Sequence, residues 1–266
     1  MIRLAGVFSH PDDDVYTIGG TLLLFAGGID PTLIFATSGG AGPISDPSLA
    51  TRDTLGDVRK QEQRAALSVL GYPNARVEWL SHQDYYVPDV PFEELVGEVT
   101  HLLEEVRPHV VVTFGPDGLT SHHDHIRTGE AATEAFHRAR SAVEPSEDGV
   151  FGWLLYVALA RTDVDRFYAG VREGGYEYGE EGALFDITGV TDDRIALRVD
   201  IRTVRDRKLQ GILEHRTQMV EYERLPKPLR WIYLDDECFV QAYPIDKPTI
   251  LRDNPFTGLS GDGGPR

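Results

Sequence analysis

The sequence is short of cysteine, of long apolar runs and of positive charge. Its single cysteine, Cys238, excludes an intramolecular disulfide and a thiolate-rich zinc site, so any bound metal must use histidine and carboxylate ligands. No apolar segment reaches the length that crosses a membrane. Only 26 lysines and arginines accompany 43 aspartates and glutamates, which gives a formal net charge of -17. That charge argues against nucleic acid, and against an anionic membrane surface, as the main partner.

The beginning of the sequence lacks the features of a secretion signal. Met1 to Leu4 run directly into an apolar strand, without a charged leader and a long apolar region. We therefore expect a cytoplasmic location. The 266 residues suffice to bury a core without disulfides, and a single α/β domain is the expectation. The sequence does not determine the oligomeric state, and a homo-oligomer is one possibility.

Apolar runs alternate with segments of helical periodicity along the first 140 residues. This alternation predicts repeated β-α units and hence a mostly parallel sheet. The predicted strands cover residues 2–8, 31–37, 76–80 and 109–114, and the predicted helices cover 14–26, 53–70, 92–106 and about 122–139. Further on, we predict a linker at 144–149, strands at 153–159 and 195–199, a loop at 174–182, a helix at 202–216 and an irregular tail at 253–266.

The first cluster of polar residues, His10 to Asp14, directly follows the first predicted strand. The carboxyl ends of strands in an open α/β sheet are where ligands bind. Pro11 restricts the backbone beside His10, and the consecutive Asp12 and Asp13 must point in different directions. One of these acids can therefore bind a metal while the other faces a reacting water. The alternative is that the acids cap the following helix, where negative charge is favoured.

The second cluster, Ser121 to His125, follows the fourth predicted strand. His122 and His125 are three residues apart, so both lie on one face of a helix's first turn. Ser121 and Asp124 have the spacing of a capping box. The alternative is an exposed, solvated start of a histidine-rich helix. Together the two clusters supply enough histidine and aspartate for a three-ligand zinc or iron site with an open position.

These motifs resemble the PIG-L or LmbE-like family of zinc-dependent de-N-acetylases, whose motifs are His-Pro-Asp-Asp-Glu and His-Pro-Asp-His. Arg59, Glu62 and Leu70-Gly71 are similar to its Arg-x-x-Glu helix ending in Leu-Gly, and Lys208 with His215 to Gln218 is similar to its late Lys and His-x-Ser-Gln element. The resemblance implies a Rossmann-like three-layer sandwich, with helices on both faces of the sheet. It also implies one domain over residues 1–266, with a core at about 1–140 and a C-terminal elaboration at about 150–250.

The resemblance further implies a Zn²⁺ ion held by His10, Asp13 and His125. It makes Asp12 the general base, and His122, if protonated, the group that stabilises the oxyanion. Asp124 and His215 are expected to lie next to the metal ligands without binding the metal themselves. For Asp124 the capping box remains an alternative, and for His215 a surface position does.

Two further residues are assigned to substrate binding, Arg59 because of the resemblance and Asp84 because it follows the third strand. Arg59 would bind sugar hydroxyls or the released carboxylate, against the alternative of a solvated arginine paired with Glu62. Asp84 would take a sugar hydroxyl, against the alternative of a turn-forming aspartate.

The sequence departs from the family pattern at three positions. Asp14 stands where the family usually has Glu, and His123 stands where it usually has Pro. Thr120 stands where some members have a mobile tyrosine, so that role is unfilled or filled from elsewhere.

The function implied is removal of an acetyl group from a small-molecule N-acetylglucosaminyl sugar or glycoconjugate. The loops at 38–53 and 84–87 follow the second and third strands and should rim the site, where Tyr85 or Tyr86 could stack on a sugar. One alternative is a metallohydrolase that acts on another ester or on a phosphoester. The other is a non-catalytic metal- or nucleotide-binding protein, although the first loop lacks the Gly-x-Gly-x-x-Gly of dinucleotide-binding folds.

Overall fold

A computed structural model of the chain describes residues 1–143, 149–176, 187, 189–245 and 254–256. Within these residues, seven strands form one sheet. The strand order is β3-β2-β1-β4-β5-β7-β6. The first five strands along this order are parallel, whereas β7 runs antiparallel to both β5 and β6. The predicted mostly parallel sheet is therefore confirmed. The strands are β1 (Ile2–Phe8), β2 (Ile29–Thr37), β3 (Arg76–His82), β4 (Val110–Phe114), β5 (Trp153–Ala158), β6 (Leu197–Asp200) and β7 (Asp236–Tyr243).

Helices cover both faces of the sheet and make it the middle of three layers. One apolar cluster joins α1, α2 and α7 to one face, and a second joins α3 and α5 to the other. The helices are α1 (Asp13–Leu24), α2 (Leu55–Leu70), α3 (Phe92–Val106), the distorted turn α4 (Gly118–Ser121), α5 (His123–Ser141), α6 (Arg161–Glu173), α7 (Arg205–Leu213) and α8 (Met219–Arg224). Among the described residues, no helix is long and apolar enough to cross a membrane.

The strand order reverses direction at β1, and this reversal positions the site. From β1 the chain moves outward to β2 and β3, then returns to place β4 on the other side of β1. Ligands of open α/β sheets bind in the crevice at such a switch point, outside the carboxyl ends of the strands. His10 follows β1 and His122 follows β4, so both polar clusters flank this crevice.

The C-terminal part of the chain differs most from the sequence-based assignment. The sequence analysis missed both α6 and β7, the strand that joins β5 to β6. β7 lies near the edge of the sheet and is only partly buried, so its sequence, DECFVQAY, shows neither a continuous apolar run nor strict alternation. The predicted segments at 144–149, 174–182 and 253–266 lie mostly outside the described residues.

A buried ion pair fastens this C-terminal part to α1. The Lys208 ammonium donates to a Glu237 carboxylate oxygen and to the Tyr16 carbonyl, both at 2.7 Å. The same carboxylate accepts the backbone N–H groups of Gly20 and Thr21. Burial lowers the pKa of Lys208, although the charge of Glu237 opposes that shift. Because α1 begins in the first polar cluster, this contact holds the helix that carries the cluster.

Candidate active site

Asp12 and Asp13 send their carboxylates in different directions, as predicted. One Asp13 oxygen accepts the backbone N–H groups of Ser9 and His10, at 3.1 and 2.7 Å. An Asp12 oxygen lies 3.2 Å from the Arg59 guanidinium instead. Asp12 occupies the N-cap position of α1 but makes no side-chain cap hydrogen bond, so the capping alternative is wrong for this residue. Its φ of 110° lies in the left-handed region, which non-glycine residues adopt mainly where surrounding contacts enforce it.

In the second cluster, the N-cap of α5 is His122, whose Nδ1 accepts the Asp124 N–H at 3.1 Å. The predicted capping box of Ser121 and Asp124 is therefore wrong. The Asp124 carboxylate is fully buried and accepts the N–H groups of Tyr85 and Val87, so it is committed to the loop after β3. The solvated alternative is also wrong for this segment as a whole, because both Asp124 and His125 are buried.

The three predicted metal ligands converge at the switch point. His10 Nδ1 lies 3.1 Å from His125 Nε2, which in turn lies 3.3 Å from Asp13 Oδ1. The other Asp13 oxygen is 3.8 Å from His10 Nδ1. Ligand atoms of a tetrahedral zinc site with bonds of about 2.0–2.1 Å lie about 3.3 Å apart. The spacing therefore fits one metal ion shared by these three side chains.

Hydrogen bonds on the far side of each imidazole decide which nitrogen is free to bind a metal. His125 Nδ1 lies 3.0 Å from the Gly118 carbonyl, to which only an N–H can donate, so the His125 lone pair is on Nε2. His10 Nε2 lies 3.0 and 3.2 Å from oxygens of Asp84 and Asp124, so in the neutral ring it donates and leaves the lone pair on Nδ1. Two lone pairs and a carboxylate then face one another, an arrangement that a cation relieves.

The electrostatics around His10 favour positive charge. Burial by itself would lower the pKa of His10, but hydrogen bonds to Asp124 and Asp84 and the charge of Asp13 outweigh it and raise the pKa to about 10. Burial alone would raise the pKa of Asp84, but the contact with His10 dominates and lowers it to about 2. His122 differs, because burial and then the charges of His10 and His125 lower its pKa to about 4.

Two other groups of side chains lie close enough together to hold an ion, namely His10 with His122 and His125, and His10 with Asp84 and Asp124. A neutral His122 whose Nδ1 accepts a backbone N–H carries its proton on Nε2 and has no lone pair left for a metal. Asp84 and Asp124 face the donating nitrogen of His10, the arrangement by which carboxylates orient metal-binding histidines. The geometry therefore favours the ligand set of His10, Asp13 and His125.

Arg59 is enclosed by the site rather than exposed at its rim, with only 3% of its surface accessible. Besides its ion pair with Asp12, it donates to the carbonyls of Pro11 and Gly39, at 2.6 and 3.0 Å. A Cβ atom at position 39 would lie 2.2 Å from the guanidinium, which accounts for glycine there. The predicted alternative of a solvated Arg59 paired with Glu62 is wrong, because Glu62 accepts the N–H of Thr217 instead.

His215 is fully buried, which rules out the surface position considered for it. Neither ring nitrogen has a hydrogen-bond partner among the described residues. Burial, followed by the charge of Arg59, lowers the pKa of His215 to about 3, so the ring is neutral. His215 is therefore a buried neutral residue that lies close enough to Arg59 for the charge of Arg59 to affect its pKa.

Gln63 is a site residue that the sequence analysis missed. It accepts the N–H of Asp12 and donates to the Asp14 carboxylate at 2.9 Å. Burial raises the pKa of Asp14 to about 7, and the bond from Gln63 only partly offsets this. No motif signals Gln63, since a glutamine on a helix is usually solvated.

A doubly wound sheet with a cluster of histidines and aspartates at its switch point is an arrangement typical of metal-dependent enzymes. A family model described as PIG-L, GlcNAc-PI de-N-acetylase, matches residues 6–136. A 1D-myo-inositol 2-acetamido-2-deoxy-alpha-D-glucopyranoside deacetylase from Rhodococcus erythropolis is 30% identical over 246 residues, which cover 82% of this chain and 81% of that protein. The chain belongs to the PIG-L family of metal-dependent deacetylases.

Solved structures share the fold. An N,N'-diacetylchitobiose deacetylase from Pyrococcus horikoshii aligns with a TM-score of 0.63 at 21% identity, over 97% of this chain and 88% of that one. GalB, the 4-carboxy-2-hydroxymuconate hydratase from Pseudomonas putida, aligns with a TM-score of 0.62 at 20% identity, over 92% of this chain and 97% of that one. Since one fold serves two different reactions, the side chains of the site must decide the activity.

Arg59→Lys should destabilise the protein and slow the enzyme while leaving its metal content intact. Lysine cannot reproduce the planar fork that serves Pro11, Asp12 and Gly39 together, so buried acceptors lose partners. We expect the free energy of unfolding to fall by about 1–3 kcal/mol, and kcat/KM to fall about ten- to a hundredfold. Denaturant titration and steady-state kinetics measure both.

Arg64→Lys is the matched control, because Arg64 lies on the same helix, is exposed and makes one bond to the Ala75 carbonyl. Equal effects of the two substitutions would contradict the role given to Arg59.

Proposed function

We propose that the protein is a zinc-dependent hydrolase that removes the acetyl group from an N-acetylglucosaminyl sugar or glycoconjugate. The observation that carries the proposal is the convergence of His10 Nδ1, His125 Nε2 and Asp13 at the switch point, with Asp12 beside them. The curated relative described above supports the substrate class, because its printed name specifies a 2-acetamido-2-deoxy-glucopyranoside.

The metal in this proposal is Zn²⁺, bound by His10, Asp13 and His125. Zinc prefers four-coordinate sites, and catalytic sites leave one position open for water or substrate. When bound, the ion supplies a Lewis acid for the amide carbonyl and lowers the pKa of water. Asp84 and Asp124 hold the His10 ring at its Nε2–H, and the Gly118 carbonyl holds the ring of His125.

Asp12 is proposed as the general base. Its carboxylate accepts a proton from the attacking water and later delivers it to the leaving amine, which cannot depart without one. The backbone conformation of Asp12 and two contacts determine the direction of its carboxylate. The αL backbone turns it away from Asp13, Gln63 accepts its N–H, and Arg59 pairs with its Oδ2.

His122 is proposed as the donor to the oxyanion of the tetrahedral intermediate. The sequence interpretation required a protonated ring, but the lowered pKa leaves His122 neutral near pH 7. A neutral ring suffices. With Nδ1 occupied by the Asp124 N–H, the proton of His122 resides on Nε2, and the ring can donate from that atom.

For Arg59 and Asp84 the structure supports positioning roles better than direct substrate binding. Both Asp84 oxygens already accept hydrogen bonds, one from His10 and the other from the Ala41 N–H at 2.7 Å. Arg59 is enclosed, and its two terminal nitrogens contact Pro11, Asp12 and Gly39, while its buried Nε has no hydrogen-bond partner among the described residues. We therefore propose that Asp84 orients His10 and that Arg59 orients Asp12.

A single domain over residues 1–266 is also part of the proposal, because β6 and β7 extend the sheet begun by β1 to β5. A cytoplasmic location and a homo-oligomeric state both remain predictions.

The ligand assignment predicts which substitutions remove the metal. His10→Ala, Asp13→Ala and His125→Ala should each lower bound zinc from about one ion per chain to a small fraction, because two ligands hold it poorly. His123→Ala should keep the metal, since His123 is exposed beside the site. Elemental analysis after dialysis measures the difference. Zinc retained by all three ligand variants would place the site elsewhere.

Binding and chemistry should separate in two other variants. Asp12→Asn and His122→Ala should retain the metal, because neither residue is proposed as a ligand. Their kcat should nevertheless fall about 10²- to 10⁴-fold, because each loses a group that acts in the reaction. Kinetics together with elemental analysis test this. A fully active Asp12→Asn enzyme would contradict the proposed base.

The reaction class is tested by a substrate panel. Zinc-loaded protein is offered N-acetylglucosamine, its glycosides, acyl esters and phosphoesters, and the release of amine, acid or phosphate is measured. We expect amine release from N-acetylglucosaminides. Turnover of an ester or phosphoester without any amine release would favour the metallohydrolase alternative, and no turnover with metal bound would favour a binding protein.

A further inference from the structure

We propose that the side chain of Tyr85 forms the wall of the active site that contacts the sugar ring of the substrate, and thereby selects sugars over other N-acetyl compounds. This inference rests on the proposed deacetylase function and adds a specificity residue to it. Three observations carry it: the position of the ring, the backbone conformation that holds it, and the contrast with its neighbour Tyr86.

The ring of Tyr85 lies at the mouth of the site. Its centroid is 5.2 Å from that of His122, with the two planes inclined by 64°. The His122 ring in turn lies 4.8 Å from His10 and 4.7 Å from His125. Despite this contact Tyr85 remains 57% exposed. The residue therefore borders the proposed oxyanion donor on one side and is open to solvent on the other.

The site itself holds the backbone of Tyr85 in an unfavourable conformation. Its φ is 74°, in the left-handed region that a bulky side chain rarely adopts. The Tyr85 and Val87 N–H groups both donate to Asp124, and the preceding Asp84 contacts His10. The carboxylates that orient His10 thus also fix Tyr85. Strain maintained in this way is characteristic of functional positions.

The chemistry of the ring suits a sugar. Tyrosine offers a rigid apolar face and a polar tip at little cost in conformational entropy, which fits the C–H face and hydroxyls of a pyranose. In a 2-acetamido sugar the reacting amide is attached directly to the ring, so an amide at the metal centre places the sugar beside His122.

Tyr86 provides the internal contrast. It is 52% exposed, almost as much as Tyr85, and its φ of -121° is ordinary. The aromatic contacts among the described residues join Tyr85 to the site and include none from Tyr86. The two tyrosines therefore match in type and nearly in exposure, and differ in their backbone conformation and in the contact with His122.

The first measurement is the affinity of the zinc-loaded protein for methyl glucosaminide, the amine product, by titration calorimetry. Tyr85→Ala should raise the Kd about five- to tenfold, and Tyr86→Ala should leave it unchanged. Tyr85→Gly should weaken binding equally while keeping or raising the Tm, because glycine relieves the backbone strain. A lowered Tm in Tyr85→Gly would instead indicate a structural role and overturn the proposal.

The second measurement separates sugar binding from an effect through His122. Deacetylation is followed with a methyl N-acetylglucosaminide and with N-acetylethanolamine, which has the amide but no ring. Tyr85→Ala should raise KM for the glycoside more than it lowers kcat, and should change kcat/KM for the acyclic amide less than twofold. Equal losses on both compounds, or equal behaviour of the Tyr85 and Tyr86 variants, would overturn the proposal while leaving the deacetylase function standing. Absence of wild-type turnover and of amino-sugar binding would contradict the proposed function itself.

Discussion

The arrangement on which the rest of the site depends is the meeting of two imidazole lone pairs and a carboxylate around one position. His10, His125 and Asp13 come from the carboxyl ends of β1 and β4, which only the reversal of the sheet brings together. Without a cation this arrangement is electrostatically unfavourable. The raised pKa of His10 has the same origin, because the surrounding carboxylates favour the binding of a positive charge, in this case a proton. The surrounding residues then have a common task, which is to keep these donors in place.

Asp124 links several of these tasks. Its carboxylate orients His10 and accepts the N–H groups of Tyr85 and Val87, and its own N–H occupies Nδ1 of His122. Through its buried carboxylate and its backbone N–H, Asp124 thus couples a proposed metal ligand, the proposed oxyanion donor and the loop that carries Tyr85. A buried carboxylate is costly unless it is hydrogen-bonded, and three contacts on its two oxygens lower that cost here.

The sequence predicted the parts of this molecule that follow from local pattern. Continuous apolar runs identify β1 and β4 because parallel central strands are buried on both faces, and the polar residues directly after them define the sheet edge. The alternatives based on capping and exposure are wrong for Asp124 and His215, because tertiary contacts bury both residues. Gln63, the enclosure of Arg59 and the antiparallel β7 depend on residues distant in sequence, which periodicity does not reveal.

X-ray absorption at the zinc edge of the loaded protein is the most direct test of the proposed binding of one zinc ion by His10, Asp13 and His125. We expect the zinc to be surrounded by two imidazole nitrogens at about 2.0–2.1 Å and by oxygens at about 2.0–2.2 Å, without sulfur. His125→Ala should reduce the imidazole contribution, whereas His122→Ala should leave it unchanged. A first shell that loses an imidazole in His122→Ala, or that contains sulfur from Cys238, would contradict the account.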